Sequence, residues 1–180
     1  GEGKHGLGKR VTGWRKQHYL EGTDAPFKLL PVAVHMLDKQ SIEKLKRTIE
    51  AAQQQIGFPI GLVIIDTVSR AIPGQDENKQ EAMSLFIDGC AEIQNFTQGA
   101  LIGVHHAGKD KEKGMRGSTV LLGGCDASMK VTKTENIATI NIEKQKDAEE
   151  AEPIYLTMEK VAWVPSGFEK EETTLVPVKT

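Results

Sequence analysis

Two short apolar runs constrain this chain more than any other feature: IGLVIID at 60–66 and ALIGVHH at 100–106. Both begin as continuous apolar stretches rich in Ile, Leu and Val, too short for a buried helix and too uniformly apolar for a strand with one wet face. Runs of this kind read as buried strands of a parallel sheet. The segment between them is long enough for the crossover helix that parallel pairing needs. Asn78 and Glu81 stand as a capping box for that helix, which extends through Gln98 with Ala82, Leu85, Phe86, Ile93 and Phe96 inward and stops at Gly99. The expected class is α/β, a mainly parallel sheet flanked by helices.

The flanking segments extend this pattern. Leu7, Val11, Trp14 and His18 recur at helical spacing near the start. A short apolar stretch, LLPVAVHML (29–37), leads to Asp38 or Ser41 as the cap of a helix with Ile42, Leu45, Ile49 and Ala52 on its apolar face. Gly57 and Pro59 break that helix. Further strands are expected around 127–133, 137–143 and 154–159, the later ones as an antiparallel hairpin, and the polar stretch from Pro165 as a loosely held tail. Residues 1–164 therefore read as one core and 165–180 as its tail.

Charge and cysteine usage narrow the class. A net charge of −2 argues against a generally basic nucleic-acid coat, while leaving room for a local basic loop. No apolar run reaches the ~18 residues of a membrane span, and no secretory leader opens the chain. Cys90 and Cys125 lack CxxC or Cys/His ligand spacing, which predicts free thiols, a reducing compartment and a cytoplasmic protein.

In open parallel sheets, ligands bind beyond the carboxyl ends of the strands. The first run ends in Asp66, a hydrophobic strand closed by a carboxylate, the form that holds the water shell of a nucleotide-bound Mg²⁺; an Asp merely capping a strand-end turn reads the same. The second ends in His105 and His106, of which one turns inward and the other is placed to sense a phosphate or polarise water. No third ligand stands at metal spacing beside them. The loop AGKDKEKGMRGST follows, with Lys109, Lys111, Lys113 and Arg116 interleaved with Asp110 and Glu112. It reads either as a solvated loop or as a contact for a nucleic-acid backbone.

The opening GKHGLGKR imitates a phosphate-binding P-loop, G-x-x-x-x-G-K-[ST], but fails on context. Only Gly1 and Glu2 stand where a buried strand is needed, and Arg10 cannot supply the hydroxyl oxygen that binds Mg²⁺.

LVIIDTVSRAIPGQDEN, ALIGVHHAGKD, MRGSTVLLGGCDASMKV and IEKQKDAEEAEPIYL stand in this order at these separations. The series resembles the RecA-type ATPase core of the RepA-like (AAA_25-type) replicative helicases of plasmids and phages, relatives of the DnaB-type hexameric helicases. The resemblance covers roughly residues 1–160. It implies a RecA-like P-loop NTPase core whose N-terminal Walker A unit is absent, so that the true P-loop lies before residue 1 and GKHGLGKR is the turn after a strand-end glutamate. On that alignment Glu2 matches the glutamate that polarises the attacking water, Asp66 the Mg²⁺-associated Walker B aspartate, and His106 the sensor, with His105 as the second candidate. Asp126 stands where such enzymes carry an arginine. The basic pair Lys144 and Lys146 in EKQKD matches the DnaB-like alternative, acting across a subunit interface.

The resemblance further implies ATP and Mg²⁺ as cofactors, single-stranded DNA as partner through Lys109, Lys111, Lys113 and Arg116, and a homo-oligomeric ring, a hexamer, with no membrane association. It implies an ATPase of the helicase type in the intact protein and an inactive chain in isolation. The alternative is a degenerate RecA-like module that binds DNA or a partner without hydrolysis. A third class, a metal-dependent hydrolase using the His pair, requires bound metal.

Overall fold

The structure is a computed structural model that describes residues 4–23, 26–106, 119–149, 151–165, 167 and 169–180. In chain order its elements are α1 (Lys4–Gln17), α2 (Lys39–Ile56), β1 (Leu62–Asp66), α3 (Val68–Ala71), α4 (Gln80–Thr97), β2 (Ala100–Val104), α5 (Thr119–Gly124), β3 (Ala127–Thr134), β4 (Ile137–Gln145), β5 (Ile154–Trp163) and β6 (Glu172–Lys179). They form two compact units, Pro26–Cys125 and Gly1–Ala25 with Asp126–Thr180.

The unit Pro26–Cys125 contains the expected parallel pair. β1 and β2 run side by side, with Leu62 opposite Ala100, Ile64 opposite Ile102 and Asp66 opposite Val104. One face is packed: Val63, Ile65 and Leu101 lie against a core of Met36, Ile42, Leu45, Ile49, Val68, Ile72, Met83, Phe86 and Ile93. The other face differs from expectation. Leu62, Ile64, Ile102 and Val104 are 47%, 54%, 37% and 37% exposed, so these strands are half-buried where fully buried ones were read.

Helix α2 starts as its sequence dictates. Of the two candidate caps it is Asp38 whose carboxylate accepts hydrogen bonds from the Ser41 N–H (2.9 Å) and Oγ (2.8 Å). At the other end Gly57 takes the left-handed conformation (φ 76°) that a side chain would resist. In α4 the local chemistry departs from expectation. Lys79 occupies the N-cap without a side-chain bond, and Asn78 instead donates from N and Nδ2 to Asp76 Oδ1 at 2.9 and 2.8 Å. An Asx turn therefore replaces the capping box. Ala82, Met83, Phe86, Cys90 and Ile93 form the inward face, whereas Leu85 and Phe96 are exposed. Gln98, not Gly99, adopts the left-handed C-cap. Gly99 is needed for a different reason, since a Cβ there would lie 2.7 Å from the Gly61 carbonyl oxygen.

The α/β class holds, but the second unit corrects the expectation of a mainly parallel sheet. Its sheet is fully antiparallel, in the order β3-β4-β5-β6, so among the described residues the parallel part is two strands and the expected late hairpin is a four-stranded meander. β6 lies in the stretch read as a loose tail and pairs along the length of β5, from Trp163–Glu172 to Leu156–Lys179.

Helix α1 packs on β5 and β6. It also corrects the reading of GKHGLGKR: residues 4–10 are helical, neither P-loop nor turn. The helical spacing of Leu7, Val11, Trp14 and His18 is borne out, with Leu7 and Val11 half-buried. Gly13 is buried, Lys9 pairs with Glu172 at 3.0 Å, and Gln17 Nε2 donates to Glu159 at 2.7 Å. Trp14 and His18 are exposed and stack on each other with ring centroids 4.5 Å apart. Gly13 lets the helix approach, because a Cβ there would sit 2.2 Å from Thr174 Cγ2.

Candidate functional site

The carboxyl edge of β1 and β2 gathers the polar groups of the parallel pair. Asp66 is the last residue of β1 and opposes Val104, the last of β2, so Asp66 and His105–His106 emerge at neighbouring strand ends on one edge. Strand alternation places Asp66 with Leu62 and Ile64 on the exposed face, and its carboxylate is open to solvent. The next residue, Thr67, is buried. Its carbonyl accepts the Arg70 and Ala71 N–H groups that open α3, and its hydroxyl lies 3.0 Å from Ser69 Oγ.

The two histidines divide as their positions predict. The His105 side chain is only 5% exposed, with both ring nitrogens buried and lacking a hydrogen-bond partner among the described residues. Its Nε2 lies 3.6 Å from the Glu77 carboxylate, just beyond hydrogen-bond reach. His106 is exposed. An outward imidazole beside an outward carboxylate at a strand edge can face a polar ligand from two sides. Glu77 is the neighbour that sequence reasoning missed, because it comes from the loop between α3 and α4, where no periodicity ties it to a strand end. Among the described residues no three His, Cys, Asp or Glu side chains gather as a metal site. The chemistry of Asp66 nevertheless suits a hydrated Mg²⁺, which takes one or two carboxylates and keeps several waters.

The basic pair lies in the other unit, at the end of β4. Ser128 opposes Lys144, whereas Met129 opposes Ile142, so Glu143 is the extra residue of a β-bulge. One step further, Lys146 donates its backbone N–H to the Asp126 carbonyl at 2.9 Å, and its Nζ meets Asp126 Oδ1 at 2.9 Å. The Lys146 hydrogen bond and charge, with a smaller contribution from Lys144, hold the Asp126 carboxyl below its ordinary range. Lys130 and Glu143 form a neighbouring pair at 3.6 Å. The partnership of Asp126 with Lys146 was not legible beforehand, because it depends on a register that the bulge shifts.

Both cysteines are free. Burial, with a smaller effect of Cys125, pushes the Cys90 thiol up to about 12. Glu2, Lys109, Lys111, Lys113 and Arg116 lie outside the described residues. Among the described residues no helix is long and apolar enough to cross a membrane.

Comparison with known proteins agrees with a RecA-like reading of the fold. The structure is similar to the crystal structure of the RadB recombinase, with a TM-score of 0.52 and 14% identity, over 83% of this chain and 69% of that one. At this identity the likeness concerns the fold alone. No curated protein matches the sequence. The AAA_25 family, described as an AAA domain, matches residues 1–112. That span is more than half of the chain and includes both parallel strands and the edge bearing Asp66 and His106, so the chain belongs to the AAA_25 family of AAA domains.

Proposed function

We propose that the chain is part of an ATP-hydrolysing, DNA-associated motor of the RepA-like replicative helicase type, related to the DnaB-type helicases and acting in phage or plasmid replication or recombination. The observation that carries this reading is the placement of Asp66 and the His105–His106 pair at neighbouring ends of two parallel strands. Membership of an AAA domain family and a RecA-like structural neighbour support it. This reading needs a phosphate cradle with a Walker A lysine, which GKHGLGKR does not supply, because residues 4–10 are helical. The exposed apolar face of Leu62, Ile64, Ile102 and Val104 offers a surface for further strand–helix units, because parallel sheets bury both faces. Without that cradle the chain alone binds ATP weakly and does not turn it over.

Bound Mg·ATP supplies the phosphoryl group that water attacks. Asp66 would hold a hydrated Mg²⁺ by accepting hydrogen bonds from its water shell, and the ion would supply charge neutralisation to the phosphates. His106 offers an N–H to a phosphate oxygen and so reports whether the terminal phosphate is present, while inward-facing His105 anchors the strand end behind it. Glu2 orients the attacking water and takes its proton. Lys144 and Lys146 act in trans, neutralising charge on the nucleotide of the next subunit in a homo-oligomeric ring, a hexamer by analogy with DnaB-type helicases. Lys109, Lys111, Lys113 and Arg116 contact the backbone of single-stranded DNA, so their removal lowers the salt dependence of binding.

The test is ATP hydrolysis by the intact protein with and without single-stranded DNA. Stimulated turnover is expected, and His106→Ala should lower kcat while ATP binding persists. DNA binding with no turnover under any condition would instead identify a non-catalytic RecA-like module.

A further inference from the structure

We propose that Asp126 is an internal anion that occupies the Lys146 ammonium and exchanges it for a phosphate group, making the base of the β3–β4 hairpin a carboxylate-gated phosphate site. Three features of the hairpin support this.

First, the pair is exposed on both sides, with 49% of the Lys146 side chain and 80% of Asp126 open to solvent. An ion pair in that position shifts an equilibrium by a factor of about five at most, so a multiply charged phosphate can displace the carboxylate.

Second, the hairpin does not depend on the side-chain contact. The Lys146 N–H to Asp126 carbonyl bond at 2.9 Å holds the two chain segments together, so the ammonium can change partner without opening the ladder.

Third, the carboxylate lies within the field of two cations. Lys144 opposes Ser128 two residues along β3 from Asp126, and its charge adds to that of Lys146 in keeping Asp126 ionised. The bulge at Glu143 sets this register, and Glu143 itself pairs with Lys130. An anion that replaced the Asp126 carboxylate would meet the Lys146 ammonium within the field of the Lys144 charge. Asp126 thus holds the Lys146 ammonium when no phosphate is present and competes with phosphate when one arrives.

Phosphate oxygens reach such a site from two sources, a nucleotide triphosphate or a nucleic-acid backbone. The inference rests on the reading of Lys144 and Lys146 as phosphate-facing, yet its test needs no hydrolysis, so a failure of ATPase activity and a failure of the gate are separately visible. The 180-residue chain is titrated with tripolyphosphate and, in a second arm, with oligo(dT), at fixed ionic strength. Asp126→Asn should tighten binding about two- to fivefold. The gain should vanish when Lys146→Ala is also present, and Asp126→Glu should bind like the parent. A gain confined to tripolyphosphate assigns the site to a triphosphate; a gain for oligo(dT) as well assigns it to phosphodiester backbones. Unchanged or weaker binding of both ligands by Asp126→Asn overturns the proposal. So does an equal gain in the Lys146→Ala background, which would mean a diffuse charge effect. Unaltered far-UV circular dichroism and tryptophan emission would confirm that Asp126→Asn keeps the hairpin.

Discussion

Gly13→Ala tests whether the glycine- and lysine-rich opening is a helix seated on the antiparallel sheet. An added Cβ would lie 2.2 Å from Thr174 Cγ2, with Val176 Cγ2 at 3.5 Å and Trp163 Cζ3 at 3.6 Å. Carbon atoms rest at about 3.5–4.0 Å, so helix and strand must separate by more than an ångström, and Thr174 is too short to swing clear. Overpacking of this kind costs about 1–3 kcal/mol, against which Ala gains about 1 kcal/mol over Gly inside a helix. Gly8 is an internal control in the same helix, with nothing within 4 Å of its Cβ position. Gly8→Ala should therefore stabilise by about 1 kcal/mol, and Gly13→Ala should fall about 1–3 kcal/mol below it, helix propensity cancelling between them. Both tryptophans of the sequence, Trp14 and Trp163, lie in this unit, so their fluorescence during urea unfolding reports on it. Thr174→Ser, which removes Cγ2, should recover most of the loss in the Gly13→Ala background and little in the parent. Equal stability of the two alanine variants, with no coupling to Thr174, would refute the packing of α1 on β6.

Two further outcomes follow from the other unit. The Asp38 carboxyl is held below its ordinary range first by the Ser41 hydroxyl and then by the Ser41 N–H. Its folded value is therefore lower than its unfolded one, so the α2 cap contributes stability above a pH of about 3.9, and that contribution is lost as pH falls through the lower folded value. Acid unfolding followed by circular dichroism should show a component absent from Asp38→Asn; identical acid limbs would remove the cap from the account. Cys90, raised to about 12 by burial, should resist alkylation at pH 8 while partly exposed Cys125 reacts, as read by peptide mass spectrometry. Equal labelling of the two in the folded chain would mean that the α4 face is open.

What the sequence disclosed depended on whether a segment's own pattern matched its final environment. LVIID and ALIGV were legible as parallel neighbours, because only a covered parallel sheet suits unbroken aliphatic runs separated by a crossover helix. Their exposed face was not legible, since that depends on what packs against it. β6 escaped notice because ETTLVPVK turns a half-buried Thr174 and a buried Val176 to one side and exposes Leu175 and Pro177 on the other, a mixed pattern with a proline. Proline is tolerated there because β6 is the edge strand of its sheet. The helix of α1 was legible from its spacing, but its close contact with the sheet was not, because the residue packed tightest against β6 is a glycine, which carries no hydrophobic signal. At the candidate site, Asp66 and the histidine pair were readable from their positions at the ends of apolar runs. Glu77 and the Asp126–Lys146 pair depend on a loop path and on a bulged register, which no local spacing encodes.

The proposed function assigns Asp66 to the Mg²⁺ side of an ATP-hydrolysing edge. The most direct measurement is steady-state ATP hydrolysis and equilibrium ATP binding by the intact protein and its Asp66→Ala variant, over a range of Mg²⁺ concentrations. Loss of at least about a hundredfold in kcat with ATP binding largely retained is the predicted result, because the carboxylate acts on the metal's water shell while the phosphates are cradled elsewhere. Turnover by Asp66→Ala that matched the parent at every Mg²⁺ concentration would rule out that role.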